Sequence, residues 1–133
     1  MAAVDVIDAY LSELPGGCRR LAHAEWGLSV EAEALGPQPL DIGVRVTDGL
    51  VRVQAPLHGP GGELDPWMLL WWNRQTRLVR FAATVSHEPW IHADLPVAGL
   101  DDDALDRLLG LVVDAAAAAR AAQAARSRSR SAR

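Results

Sequence analysis

Residues 42–53 read Ile-Gly-Val-Arg-Val-Thr-Asp-Gly-Leu-Val-Arg-Val. On both sides of Asp48-Gly49, apolar side chains alternate with small or polar ones. Such alternation places the apolar side chains on one face of a strand, and an Asp-Gly pair between two strands favours a tight hairpin turn. The stretch therefore predicts a β-hairpin, in which the two strands pair antiparallel.

Strand alternation continues on both sides of this hairpin. Residues 79–85 and 91–95 alternate in the same way and predict a second pair of strands. Upstream, residues 28–35 alternate more weakly, and we interpret them as one strand. Residues 18–25 fit either a preceding strand that turns at Trp26-Gly27 or an irregular segment that leads into the sheet.

Helical periodicity marks both ends of the chain. Residues 3–14 carry apolar side chains at spacings of three and four, which places them on one helix face. A last helix is predicted from Asp101 to about Ala125, with acidic residues in its first turn, where the helix dipole favours negative charge. Residues 126–133 are rich in Arg and Ser, and we expect them to form a disordered tail.

A middle helix is predicted to begin at Asp65-Pro66 and to run to about Gln75. Aspartate suits the N-cap because its carboxylate accepts a free backbone N–H, and proline suits the first helical position because it has no N–H to leave unpaired. Leu64, before the cap, can pack on Leu69.

The predicted element order is α-β-β-β-α-β-β-α, within a single domain at residues 1–125. Short connections between strands favour antiparallel pairing. We therefore expect a two-layer α+β fold, with a five-stranded antiparallel sheet and helices packed on it.

Composition indicates a soluble cytoplasmic protein. The single cysteine, Cys18, allows no internal disulfide and favours a reducing compartment. The apolar runs at residues 67–72 and 108–113 are shorter than the roughly 20 residues of a membrane-spanning helix. The N-terminal segment lacks the basic and apolar regions of a secretory signal, and the absence of lysine beside many alanines suggests a GC-rich bacterial genome.

Charge is distributed unevenly along the chain. Residues 1–119 contain seventeen acidic residues and eight arginines, a net charge of −9, whereas residues 120–133 contain five arginines and no acidic residue. Because phosphate binding requires a basic surface, the acidic body makes nucleic acid an unfavourable partner.

The middle helix carries the main candidate site. Residues 67–72 read Trp-Met-Leu-Leu-Trp-Trp, and at about 100° per residue they surround the helix axis, so that one sheet cannot cover them all. Another helix of the same chain, a second copy or a bound peptide would cover the remainder, and the sequence leaves all three open. The candidate peptide-binding or dimer-interface residues are Trp67, Met68, Leu70, Trp71, Trp72, Asn73 and Arg74. Among them, we favour a structural role for Asn73 and a solvated side chain for Arg74, whose positive charge the helix dipole favours at this end.

The C-terminal half resembles a known family. The matching segments are Leu-Leu-Trp-Trp-Asn-Arg at 69–74, Leu-Val-Arg-Phe-Ala at 78–82, Trp-Ile-His-Ala-Asp-Leu-Pro at 90–96 and Leu-Asp-Asp-Asp-Ala-Leu at 100–105. With the element order, they resemble the YbjN-type domains of bacteria and the related type III secretion chaperones. The resemblance implies a non-enzymatic fold that binds peptides or unfolded segments of a partner protein, often as a homodimer.

Catalytic and metal-binding patterns are not apparent in the sequence. No serine lies in a recognisable triad pattern, and Cys18 has no identified base. His87 and His92 lie on opposite sides of a predicted hairpin turn, but a metal would need a third ligand such as Glu88 or Asp94. We therefore expect no enzymatic activity, no cofactor and no metal. The alternative functions are a small-molecule sensor, with a pocket near these histidines, or a structural subunit of a larger assembly.

Overall fold

The computed structural model describes residues 2–57 and 64–131. The sequence of residues 57–63, rich in glycine, also predicts a loop, and this segment lies outside the described part of the chain, except for Leu57.

The described residues form three α-helices, one short 3₁₀ helix and six strands. In chain order these are α1 (Ala3–Ser12), β1 (Arg19–Ala22), β2 (Glu25–Val30), the 3₁₀ helix (Glu33–Leu35), β3 (Leu40–Thr47), β4 (Leu50–Pro56), α2 (Pro66–Trp72), β5 (Val79–Ala83), β6 (Pro89–Pro96) and α3 (Asp102–Ser131). The strands form one sheet in the order β1-β2-β3-β4-β6-β5, and every neighbouring pair is antiparallel. The predicted α+β class and antiparallel sheet are confirmed.

The central hairpin β3–β4 has the predicted position. Thr47 pairs with Leu50, and the two residues between them, Asp48 and Gly49, have φ values of 51° and 75°. Both values are positive, as a type I′ turn requires, and the twist of this turn matches that of the strands it joins.

The sheet has six strands rather than the predicted five. The predicted strand at residues 28–35 is wrong in its bounds: β2 begins at Glu25, and the chain leaves the sheet after Val30. Trp26 and Leu28 belong to the same buried face, so the alternation begins before Gly27 and no turn occurs there. Of the two interpretations of residues 18–25, the preceding strand is confirmed as β1, and it turns at residues 23–24.

Three elements end earlier than predicted. α1 ends at Ser12, and α2 ends at Trp72, with a turn over residues 73–75. β5 ends at Ala83 because the Thr84 backbone N–H donates to the Glu88 carbonyl at 2.9 Å and closes the turn to β6.

Helices α1 and α3 cover the apolar face of the sheet. The Asp101 side chain accepts a hydrogen bond from the Ala104 N–H at 2.8 Å and caps α3 as predicted. The buried side of α3 contributes Leu105, Leu108, Leu109, Val112, Ala116 and Ala119 to the core. By length and composition alone α3 could cross a membrane, but these side chains lie within the core of the domain.

In this structure α3 continues to Ser131, past the predicted end near Ala125 and through the segment expected to be a disordered tail. Adding a residue to an existing helix costs far less than starting one, and alanine and arginine are good helix formers. The last described residues therefore extend a helix that the core has already formed.

Polar contacts attach α1 to the sheet through β2 and to the neighbouring helix α3. The Trp26 Nε1–H donates to Asp8 Oδ1 at 2.9 Å, and the Arg20 guanidinium lies over the Trp26 ring at 5.5 Å from its centroid. The Tyr10 hydroxyl donates to Asp106 Oδ1 on α3 at 2.9 Å. Burial, and then the Asp106 carboxylate, raises the pKa of Tyr10 to about 12.

The titration of Tyr10 gives a direct test of the α1–α3 contact, since it is the only tyrosine. We expect phenolate absorbance to appear with a midpoint near 12 in the folded protein and near 10.0 in the chain unfolded by denaturant. Because folding raises this pKa, the stabilisation is complete below the unfolded pKa and is lost as the pH rises through the folded value. Asp106→Asn should lower the folded midpoint, and a wild-type midpoint equal to that of the unfolded chain would contradict the contact.

Candidate functional site

Local sequence determines where α2 begins. Asp65 Oδ1 accepts a hydrogen bond from the Trp67 backbone N–H at 3.0 Å, and Pro66 occupies the first helical position, so the predicted N-cap is confirmed. Leu64 and Leu69 are both buried in the core. These two side chains fix the side of α2 that faces the domain.

The six apolar residues of α2 divide between the core and the solvent. Leu69 is buried and Met68 and Trp72 are half-buried, whereas Trp67 is 78 % exposed, Leu70 57 % and Trp71 54 %. The exposed residues follow the spacing i, i+3, i+4 and therefore share one helix face. We call Trp67, Leu70 and Trp71 the α2 stripe.

Trp72 belongs to the inner side of α2. Its ring lies 5.6 Å from that of Phe81 on β5, measured between centroids, with the planes tilted by 52°. This geometry is a favourable aromatic contact, and it attaches α2 to the edge of the sheet. Of the three tryptophans on α2, Trp67 and Trp71 thus remain largely exposed to solvent.

Asn73 binds the free edge of β5. Its Nδ2 donates to the Phe81 carbonyl at 3.1 Å, and its Oδ1 accepts from the Phe81 N–H at 2.8 Å. A carboxamide presents the same donor and acceptor as a peptide group, so Asn73 occupies the place of a neighbouring strand. The side chain of this candidate residue is therefore engaged within the chain.

We expect Asn73→Ala to lower the free energy of unfolding by about 1–3 kcal/mol, because it leaves both polar groups of Phe81 without a partner. Urea denaturation followed by circular dichroism measures the change. Gln75→Ala, at an exposed position in the same turn, is the matched control and should change stability by less than about 0.5 kcal/mol. Equal effects of the two substitutions would show that the Asn73 contacts do not stabilise the fold.

Charged residues border the two ends of the α2 stripe. Asp65 is exposed at its beginning, and Arg74 and Arg77 are exposed beyond its end. Arg80 is also exposed, and its Nη1 donates to the backbone carbonyls of Thr76 and Val79. The α2 stripe is therefore bordered by a negative charge at one end and by positive charges at the other.

A second apolar surface, not predicted from the sequence, lies on the face of the sheet opposite α1 and α3. Gly27 and Gly43 pair directly across β2 and β3 and leave a groove of about 610 Å³, bounded by Leu21 on one side and Trp90 on the other. Leu21 is exposed, and Trp90 Nε1 is buried without an acceptor among the described residues. Gly43 was the available signal of this groove in the sequence. A glycine inside a predicted strand leaves a gap on the sheet surface, where another residue would place a side chain.

Two of the described histidines, His87 and His92, lie near the turn that joins β5 and β6. His87 lies in the β5–β6 turn with φ of 69°, while His92 is half-buried on β6 with its ring centroid 6.3 Å from that of Trp90. Burial, followed by the positive charge of Arg52, lowers the pKa of His92. Within residues 2–57 and 64–131, no three His, Cys, Asp or Glu side chains are grouped to hold a metal ion.

The chain matches the YbjN family, described as a putative bacterial sensory transduction regulator, over residues 47–123. This match spans more than half of the sequence, so the chain belongs to the YbjN family. The match begins at Thr47 and therefore includes β4. This strand lies before residues 69–105, the part of the chain in which the sequence resemblance was identified.

A solved structure shares the fold. It is the type III secretion chaperone SycH of Yersinia pestis, in complex with a stable fragment of YscM2. The two chains superpose with a TM-score of 0.64 and 11 % sequence identity, over 86 % of this chain and 97 % of SycH. No curated protein matches the chain. The predicted likeness to both groups is confirmed, and at this identity the structural likeness concerns the fold alone.

Proposed function

We propose that the chain is a non-enzymatic, chaperone-like domain that binds a segment of a partner protein in the cytoplasm. The observation that carries this proposal is the α2 stripe, a contiguous apolar surface containing two exposed tryptophans. Tryptophan is enriched among the residues that dominate binding energy at interfaces. The fold shared with SycH, which was solved with a fragment of YscM2, supports the same class of function.

The size of the stripe favours a reversible contact. Three large side chains that are each more than half exposed offer on the order of 400 Å² of apolar surface. Burying that area yields about 10 kcal/mol, from which association removes at least 4 kcal/mol. Stable complexes bury about 800 Å² on each partner, so the stripe alone supports weak binding of a short segment.

A second copy of the chain is the other occupant that we propose for the stripe. Asp65 and Arg74 lie at opposite ends of α2. If two α2 helices pack antiparallel about a twofold axis, Asp65 of each copy approaches Arg74 of the other. Opposite charges then meet at both ends of the apolar contact, which favours this pairing.

Binding to an unfolded protein tests the first proposal. We expect fluorescently labelled, reduced and carboxymethylated α-lactalbumin to bind with measurable anisotropy change, and Trp67→Ala/Trp71→Ala to raise its Kd by at least about tenfold. Val85→Ala is the matched control, because Val85 is 100 % exposed and lies outside the stripe. The proposal fails if wild type shows no binding, or if the double variant binds as tightly as the Val85 variant.

Sedimentation equilibrium tests the homodimer. We expect association that depends on concentration, with a Kd on the order of micromolar to millimolar, weakened in Trp67→Ala/Trp71→Ala and in Arg74→Glu. Arg107→Glu, at an exposed position on α3, is the control and should not change it. A monomer at all concentrations would contradict the dimer and leave the stripe to a partner segment.

A further inference from the structure

A small pocket lies between α3 and the loop that follows β2, away from the α2 stripe. One wall is formed by residues 33–38 and the other by residues 120–124 of α3, and the pocket holds about 230 Å³. Most of the lining is apolar, with Leu35, Pro37 and Ala124 among its members. For comparison, a cavity of about 150 Å³ accommodates a benzene ring.

Arg120 brings a positive charge to this pocket. Its Nη1 donates to the carbonyls of Leu35, at 3.1 Å, and Gln38, and its Nη2 donates to the carbonyl of Pro39 at 3.0 Å. These bonds hold the guanidinium against the loop, while its Nε is buried without an acceptor among the described residues. Within the described chain the two side-chain ion pairs are Arg20–Asp8 and Arg52–Asp94, so Arg120 has no carboxylate within 4.0 Å.

Gln123 is a further polar residue of the pocket. It is only 6 % exposed, and its Oε1 is buried with no hydrogen-bond partner in the described structure. A buried amide without a partner is costly, by about 1–3 kcal/mol, unless something in the pocket binds it. Rotation of the amide by half a turn can present either its oxygen or its NH₂ to a ligand.

The charge around the pocket favours an anion. Arg126, one turn beyond Gln123, also has a buried Nη1 without an acceptor among the described residues, and no acidic residue follows Arg120 in the sequence. Glu33 lines the pocket and Asp41 lies close enough to Arg120 to interact with its charge, and both oppose an anion. Both side chains are exposed, so that solvent screens their charges.

We propose that this pocket binds a small molecule with one carboxylate and a compact apolar body, such as an aromatic or short-chain carboxylic acid. The carboxylate accepts from Arg120 Nε–H and from the Gln123 amide NH₂, and the apolar body lies against Leu35 and Pro37. This site is independent of the proposed protein-binding function, since none of its residues belongs to the α2 stripe.

Titration with benzoate, followed by two-dimensional ¹H–¹⁵N NMR of the full chain, tests the proposal. We expect saturable shifts confined to the backbone amides of residues 33–36, 38 and 120–124, complete at benzoate concentrations on the order of 10 mM or less. Benzamide has the same shape without the charge and should bind at least about tenfold more weakly. Absence of saturable shifts with benzoate, or equal binding of benzamide, would overturn the proposal.

Two variants locate the site. Gln123→Leu removes the buried amide but keeps similar volume, and it should weaken benzoate binding by at least about tenfold. Glu33→Gln removes the opposing charge and should tighten binding by about two- to threefold. Wild-type affinity in both variants would place benzoate elsewhere, and if Gln123→Leu fails to give a folded spectrum, the Glu33 variant and benzamide decide the question.

Discussion

The apolar face of the sheet must be removed from water, and α3 is the element on which that burial depends. It packs against β5, β6, α1 and the 3₁₀ helix, and its buried side chains run from Leu105 to Ala119. Burial of a leucine or valine side chain stabilises the fold by about 1.5–3 kcal/mol, far more than any single hydrogen bond on the surface. The positions of α1 and of the loop at residues 33–38 follow from their contacts with this helix. The positions of α1 and of this loop therefore depend on the burial of α3 against the sheet.

The sequence was sufficient for those features that depend on neighbouring residues. The β3–β4 turn and the cap at Asp65 were predicted because a turn or a cap is determined by a few adjacent residues. β1 and the start of β2 are harder to predict, because one of the two interpretations of residues 18–25 places a turn at Trp26-Gly27. In the structure Gly27 lies inside a strand and faces Gly43, a relation between distant segments that periodicity cannot reveal.

The candidate site was predictable only as an excess of apolar residues. Six consecutive apolar residues indicated that some must remain uncovered, but which ones depends on the orientation of α2 against β5. That orientation is set by Leu69, by Trp72 on Phe81 and by the paired hydrogen bonds of Asn73. The groove at Leu21 and Trp90 and the pocket at Gln123 are formed by residues far apart in sequence. A glycine inside a strand, Gly43, is the one local signal of the groove, and the pocket leaves no local pattern from which it could be predicted.

The side chain of Asn73 has a consequence for how the sheet can grow. By occupying both backbone groups of Phe81, it blocks one lateral boundary of the sheet, whereas β1 at the other boundary pairs only with β2 in the described chain. A sheet that can be extended from both sides is able to polymerise, whereas two copies joined through their β1 edges present at each end only β5, the edge that Asn73 occupies. Lateral strand addition in this protein would therefore end at a closed pair and would not propagate into a fibre.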